Sequence, residues 1–274
     1  MLMHPWEVDT MVTLRWSVAV LVVASAAATR GAEPSRPLEV LYVTGGCCHD
    51  YEGQKKILVP ALEKRGGMKV TVIHEGGSSL DHKVSIYSQP EWSKGYDVVF
   101  HNECFANVRD PEFVKGIVAE HARGTPAVLM HCAMHCYRAG TDDWFRFCGV
   151  TSPGHGKNYA YTAHTIAEHP VLRGLPREWA VPKDELYYID KLWPGATPLV
   201  EAKSEERQAM QTVVWTNQYG KARVFGTTIG HANHTVETPE FLGLVTRGTL
   251  WAAGRLGDDG EPAAVEQPEP AAAR

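Results

Sequence analysis

The chain has no excess of positive charge: 27 lysines and arginines stand against 32 aspartates and glutamates, for a formal net charge of -5. A nucleic-acid surface must neutralise phosphates with clustered Lys and Arg, so no nucleic-acid partner is expected. Long apolar runs are missing too. The stretch from Trp16 to Ala28 is shorter than the roughly 20 residues that span a bilayer as a helix, and no second stretch of that kind follows. Arg15 precedes it, and the small and polar residues Thr29 to Pro37 follow it, as in a bacterial signal peptide. Cleavage after Ala28 or Ala32 would leave a periplasmic or secreted protein with no membrane partner. No cysteine follows the run, which argues against a lipoprotein anchor. Also absent are an internal repeat, an HExxH zinc signature and the glycines that normally flank a nucleophile elbow.

What is present is enough apolar residue for a core and an unusual number of histidines. The chain has 274 residues, 44% of them hydrophobic, and 13 histidines. Residues 1–37 read as signal peptide and leader. Residues 257–274 are mostly Ala, Pro, Glu and Asp, which bury too little to repay the entropy of ordering, so a disordered tail is expected there. One domain, 38–256, remains. Within it, Leu38 to Gly45, Lys69 to His74, Tyr96 to Asn102 and Pro126 to His131 are short apolar runs of strand character. Helical spacing over Ile57, Leu58, Ala61 and Leu62 ends at Gly66-Gly67, and Pro60 requires a late start or a kink. Asp110 is a candidate N-cap, with Pro111 at the first helical position of a helix ending at Arg123. This alternation predicts an α/β fold with a doubly wound, mostly parallel sheet flanked by helices. Gln211 to Thr216 and Ala222 to Ile229 flank Gly220 as an antiparallel hairpin extending that sheet. Thr238 and Pro239 open a closing helix.

Open parallel sheets bind ligands beyond the carboxyl ends of their strands. At those positions stand Cys47, Cys48, His49 and Asp50; His101, Glu103 and Cys104; His131, Cys132 and His135; and His231 and His234. Three chemistries remain open. Imidazoles and carboxylates bind zinc or a similar divalent ion, and three ligands with an open position make a Lewis-acid centre. Cys132, between a strand and a helix, is a candidate thiol nucleophile. Histidine with a carboxylate such as Glu185 supplies acid and base. In an exported protein Cys47, Cys48, Cys132 and Cys136 either pair or stay as buried thiols. Topology brings His49, His101, His131 and His231 to one cleft, with Asp50, Glu103 and Glu185 placed to orient their rings and His74 outside.

Four segments carry a resemblance: LYVTGGCCHDYEGQK, GTPAVLMHCAMH, the DELYYI run from Asp184 to Ile189, and GKARVFGTTIGH with the later WAAGRL. In order and spacing they resemble the ThuA-like (trehalose utilisation) family over about Leu38 to Leu256. The resemblance implies a class I glutamine amidotransferase-like (flavodoxin-like) fold without a dependable amidotransferase triad. It implies a small-molecule carbohydrate substrate, a 3-keto sugar or glycoside. Its recurrent polar positions fall on His49, His131, His155 within SPGHGK, Glu185, Tyr187 and His231. The expected roles are catalysis by His131, Glu185 and His231, with Glu185 as base, and a divalent metal, zinc first, on His49, His131, His155 and His231. Tyr187, Cys132, Glu103 and His101 are the expected substrate contacts. Cys132 and Cys47-Cys48 depart from the family's more usual small residues. The alternatives are a non-catalytic carbohydrate-binding module and a Cys-dependent hydrolase or amidotransferase relative. A homo-oligomer is compatible with all three.

Overall fold

The computed structural model describes residues 1–2 and 36–263. The expected signal peptide with its cleavage sites, and the tail beyond residue 263, lie outside the described residues. Among the described residues no helix is long and apolar enough to cross a membrane.

Strand β1 (Leu38–Gly46) is buried along nearly its whole length, which is why it reads as a continuous apolar run rather than an alternation. Asp50 then caps α1 (Tyr51–Gly66) by accepting the Gly53 N–H. The helix starts well before Pro60, which therefore sits inside it, so the late start that the proline allowed does not occur. Next come β2 (Met68–His74), β3 (Val98–Cys104), α2 (Pro111–Arg123) with Asp110 as its cap, and β4 (Ala127–Met130). A 3-10 turn, His131–His135, leads to α3 (Asp143–Cys148). The remaining strands are β5 (Val150–Thr151), β6 (Gly154–Thr165), β7 (Glu178–Tyr188), β8 (Lys191–Leu192), β9 (Ala196–Lys203), β10 (Met210–Tyr219) and β11 (Ala222–Thr227). Short α4 (Asn233–Val236) and α5 (Pro239–Ala252) follow. The chain continues in order to Ala263, past the boundary expected at Leu256, because Leu256 bridges Pro262 and the Ala263 N–H reaches the Arg255 carbonyl.

Nine strands form one sheet in the order β2-β1-β3-β4-β11-β10-β9-β6-β7. The first five are mutually parallel, and β11-β10-β9-β6-β7 are successively antiparallel. The hairpin does extend the sheet, as expected, but three strands of the antiparallel arm escaped the sequence reading. β6 and β7 alternate exposed and covered positions, so no continuous apolar run marks them. Side-chain alternation divides the core. Tyr42, Phe100 and Val128 pack with Leu244 and Val245 of α5 on one face. Leu41, Val99 and Leu129 pack with Trp144 of α3 and Ile117 of α2 on the other.

Packing around Trp215 is tight. Its indole N–H donates to the Cys148 carbonyl at 2.7 Å, and a Cβ added at Gly226 would come within 2.2 Å of the ring. Gly226→Ala is expected to cost about 1–3 kcal/mol by overpacking. Gly116→Ala, on the open side of α2 with nothing within 4 Å of the new atom, should stabilise by about 0.5–1 kcal/mol. Denaturant titration of both variants checks the contrast, and equal effects would contradict the packing.

Candidate functional site

Each side chain of the cluster is placed by a different element. His49 follows β1 and stands between the Cys47–Cys48 disulfide and the α1 cap. His131 turns the chain out of β4 with φ at +52°, a left-handed conformation that costs a non-glycine residue roughly 1–3 kcal/mol and persists only where its surroundings hold it. One such hold is visible: its Nδ1 donates to the Thr228 carbonyl at 2.5 Å. That bond fixes the tautomer and leaves the lone pair on Nε2. His231 lies beyond β11. Its backbone N–H and that of Gly230 donate to the buried Asp184 carboxylate at 3.1 and 2.9 Å.

Glu185 and Tyr187 share one face of β7 by strand alternation. Across the β6–β7 pairing His155 sits opposite Tyr187, and Asn158 opposite Glu185. Glu185 Oε2 is thereby 3.1 Å from His231 Nδ1, 3.5 Å from His131 Nε2 and 3.5 Å from His155 Nε2. The ring of His49 lies 4.7 Å from that of His131 and 4.8 Å from that of His231, centre to centre. One ligand atom each of His49, His131, Glu185 and His231 lies within 4.8 Å of all the others. Three ring nitrogens of these residues, His49 Nε2, His131 Nε2 and His231 Nδ1, are buried without a hydrogen-bond partner, an arrangement that native structures seldom leave unexplained. A cleft of ≈ 530 Å³ opens beside them, with His49 and His231 in its wall.

The electrostatics follow from this crowding. Burial, together with His131 and His231 nearby, pushes the His49 imidazole down to about 2, so it stays neutral. Burial alone would raise Glu185, but the facing His131 and His231 rings outweigh it and hold the carboxyl well below the usual range. Glu185 in turn holds His231 above its ordinary value against the effect of burial. Asp184, one residue away on the opposite face, is pushed up by burial despite the N–H groups it accepts.

Several expected site residues lie elsewhere. His155 is not among the four converging groups: its Nδ1 bonds its neighbour Gly156's carbonyl, and its ring stands on the outer side of Glu185. His101 and Glu103 are fully buried on the α2–α3 face, because β3 runs on to Cys104 and alternation turns them away from the cleft. There Glu103 Oε1 takes the Tyr87 and Tyr137 hydroxyls and faces His101 Nδ1 at 2.9 Å, while His101 Nε2 meets His121 Nε2. Neither can touch a ligand in the cleft. Cys132 is bonded to Cys104 and is not a thiol. Cys136 and Cys148 are free but buried, and burial pushes both thiols well up. Tyr187 is buried, shares a hydrogen bond with His135 at 3.2 Å and presents its ring to His131 and His155. It positions imidazoles rather than lining the cleft. Asp50 caps α1 and binds the Asn233 amide. His74 sits apart, beside Lys55 and Glu52. Sequence reasoning missed Asp184 and Tyr51, whose hydroxyl lies 3.1 Å from His49 Nδ1. The adjacency of Asp184 to Glu185 was visible, but nothing in the sequence tied it to the loop at Gly230.

The ThuA family, described as trehalose utilisation, matches residues 39–252. A putative ThuA-like protein from Parabacteroides merdae superposes with TM-score 0.63 at 22% identity, over 85% of this chain and 94% of that one. Another from Bacteroides uniformis gives 0.61 at 14% identity, over 84% and 98%. These likenesses establish the shared fold. No curated protein sequence matches the chain.

The depressed imidazoles make stability depend on pH. His49, held at about 2, and His135, held at about 3 mainly by burial, both fall below the usual 6.5. The unfolded chain therefore takes up protons below pH 6.5 that the folded one refuses, so the stability they confer is present above pH 6.5 and declines as pH falls. Glu185 adds a loss below about pH 4.5. Metal-free protein should lose up to about 2 kcal/mol per such histidine at about pH 5. Melting curves across this range should show a shallower slope for His49→Asn than for the unaltered chain, and identical slopes would refute the assignment.

Proposed function

Since the chain belongs to the ThuA (trehalose utilisation) family, we propose that it is an exported, metal-assisted enzyme acting on a small carbohydrate, a 3-keto sugar or glycoside. The observation that carries this reading is the set of three partnerless buried ring nitrogens facing one carboxylate. Neutral imidazoles and a carboxylate are a donor set suited to zinc. Two of the histidines also have an outer partner on the other ring nitrogen, Thr228 for His131 and Tyr51 for His49, the support that metal-ligating histidines usually show, while His231 is fixed through its backbone N–H on Asp184. His49, His131, His231 and Glu185 would hold the ion, with His155 outside the set. A divalent ion there supplies Lewis acidity toward a carbonyl and makes bound water more acidic.

The chain's own groups then divide the proton work. Glu185, held ionised by its neighbours, is too weak a base to compete for a substrate proton near neutral pH, since catalytic bases work best with a pKa near the operating pH. It serves the reaction better as a ligand. His155 is more exposed, and its Nδ1 is tied to the Gly156 carbonyl, which leaves Nε2 free to take a proton. Protons beside a sugar ketone are acidic, so His155 can remove one and return it to a leaving oxygen. Tyr187 and His135 keep the rings in register. The Cys-dependent alternative has lost its nucleophile to the Cys104–Cys132 bond.

Metal analysis of the purified protein should find one zinc or similar ion per chain. Saturation at a hundred times the dissociation constant should stabilise the fold by about 2.7 kcal/mol. His131→Ala should lose the ion, whereas His155→Ala should keep it and lose turnover of 3-keto glucosides by about 100-fold or more. Protein that binds no divalent ion and melts identically with and without zinc would sink the metal reading. Unchanged turnover in His155→Ala would remove that residue from the mechanism.

A further inference from the structure

Three features of the cleft wall play no part in holding the cluster. The first is a charge. Lys183 and Glu185 lie on the same face of β7 by alternation, and Lys183 lines the cleft. Its ammonium makes no ion pair among the described residues, yet its charge is felt at His231. The carboxylate in the same wall, Asp50, is already engaged by the Gly53 N–H at 2.9 Å and the Asn233 amide at 2.7 Å. The cleft thus carries a cation with no internal partner.

The second feature is a pair of acceptors. The side-chain oxygens of Asn158 and Asn233 are buried without hydrogen-bond partners, and both residues line the cleft. Such atoms are costly unless something donates to them, and sugar hydroxyls do. The third is a small apolar face. Cys48 is exposed in the cleft wall and bonded to its neighbour Cys47, closing a small ring whose methylenes and sulfurs are polarisable and make no strong hydrogen bonds. It stands immediately before His49, so whatever lies on it is held against the histidine cluster.

Together these complement an anionic, polyhydroxylated ring: carboxylate on Lys183, hydroxyls on the two amide oxygens, and the C–H face on the disulfide. We propose that the cleft selects an acidic sugar, a uronate, with Lys183 receiving its carboxylate; this rests on the carbohydrate reading of the same site. A neutral sugar leaves the ammonium without its counter-charge and binds less tightly.

The test compares two ligands that share a ring and differ only in carboxylate against hydroxymethyl: methyl β-D-glucuronide and methyl β-D-glucoside. Each is titrated calorimetrically into the full-length zinc-loaded protein at low salt, where exposed charges are least screened. The glucuronide should bind about tenfold or more tightly, a difference of about 1.4 kcal/mol. Lys183→Met should abolish the preference and Lys183→Glu reverse it, both with unchanged zinc content and melting temperature. Equal binding of the two sugars, or a preference that survives Lys183→Met, overturns this inference and leaves the carbohydrate reading standing. If neither sugar binds while zinc stays stoichiometric, both fall.

Discussion

One buried carboxylate ties the two halves of this sheet together. Asp184 is fully buried in β7, at the far antiparallel edge, and receives the N–H groups of Gly230 and His231 from the loop after β11. A buried charge is tolerable only when donors replace the water it has lost, and the N–H of Glu185 supplies a third. The consequence is geometric. Because β7 alternates, fixing Asp184 inward against that loop delivers Glu185 to the cleft beside the imidazole of His231.

The same economy holds at His131. Its left-handed backbone is disfavoured for a residue with a side chain, and it is kept there by the Thr228 carbonyl and by packing between Tyr187 and His49. The turn aims Nε2 at the point where β1, β4, β7 and the β11 loop converge. It presents an imidazole, and the adjacent sulfur is used as a cross-link to β3. Burial of the rings keeps His49 neutral while Glu185 stays ionised, the protonation states in which nitrogen and oxygen serve as ligands.

A second polar cluster shows how strongly alternation governs function. His101, Glu103 and His121 offer the same side-chain types as the cleft, but they lie sealed among Tyr87, Tyr137 and Trp144. His121 donates from Nδ1 to the Thr125 carbonyl and is kept neutral by burial, and its Nε2 lies 3.1 Å from that of His101. Of the polar side-chain atoms of these three residues, only Glu103 Oε2 is buried without a partner. The cluster cross-links β3 to α2, and no ligand reaches it.

The sequence by itself determined the strand-helix alternation from Leu38 to Met130, the cap and extent of α2, the hairpin, the closing helix and the family. These rest on local signals: apolar runs, caps and glycines act within a few residues. It also marked His49, His131 and His231, because strand ends are where an open sheet binds, and Glu185 through the family resemblance. Tertiary structure decided the rest. Whether a histidine near a strand end faces the cleft or the core depends on where the strand stops, and one residue changes the face: His101 went inward because β3 continues to Cys104. Which cysteines pair depends on neighbouring strands meeting across the sheet, so Cys104–Cys132 had no local signature. The arm of β6 and β7, which carries His155, Asn158, Lys183 and Glu185, alternates polar with apolar too irregularly to announce itself. It acquires its register only by pairing with the sheet already built.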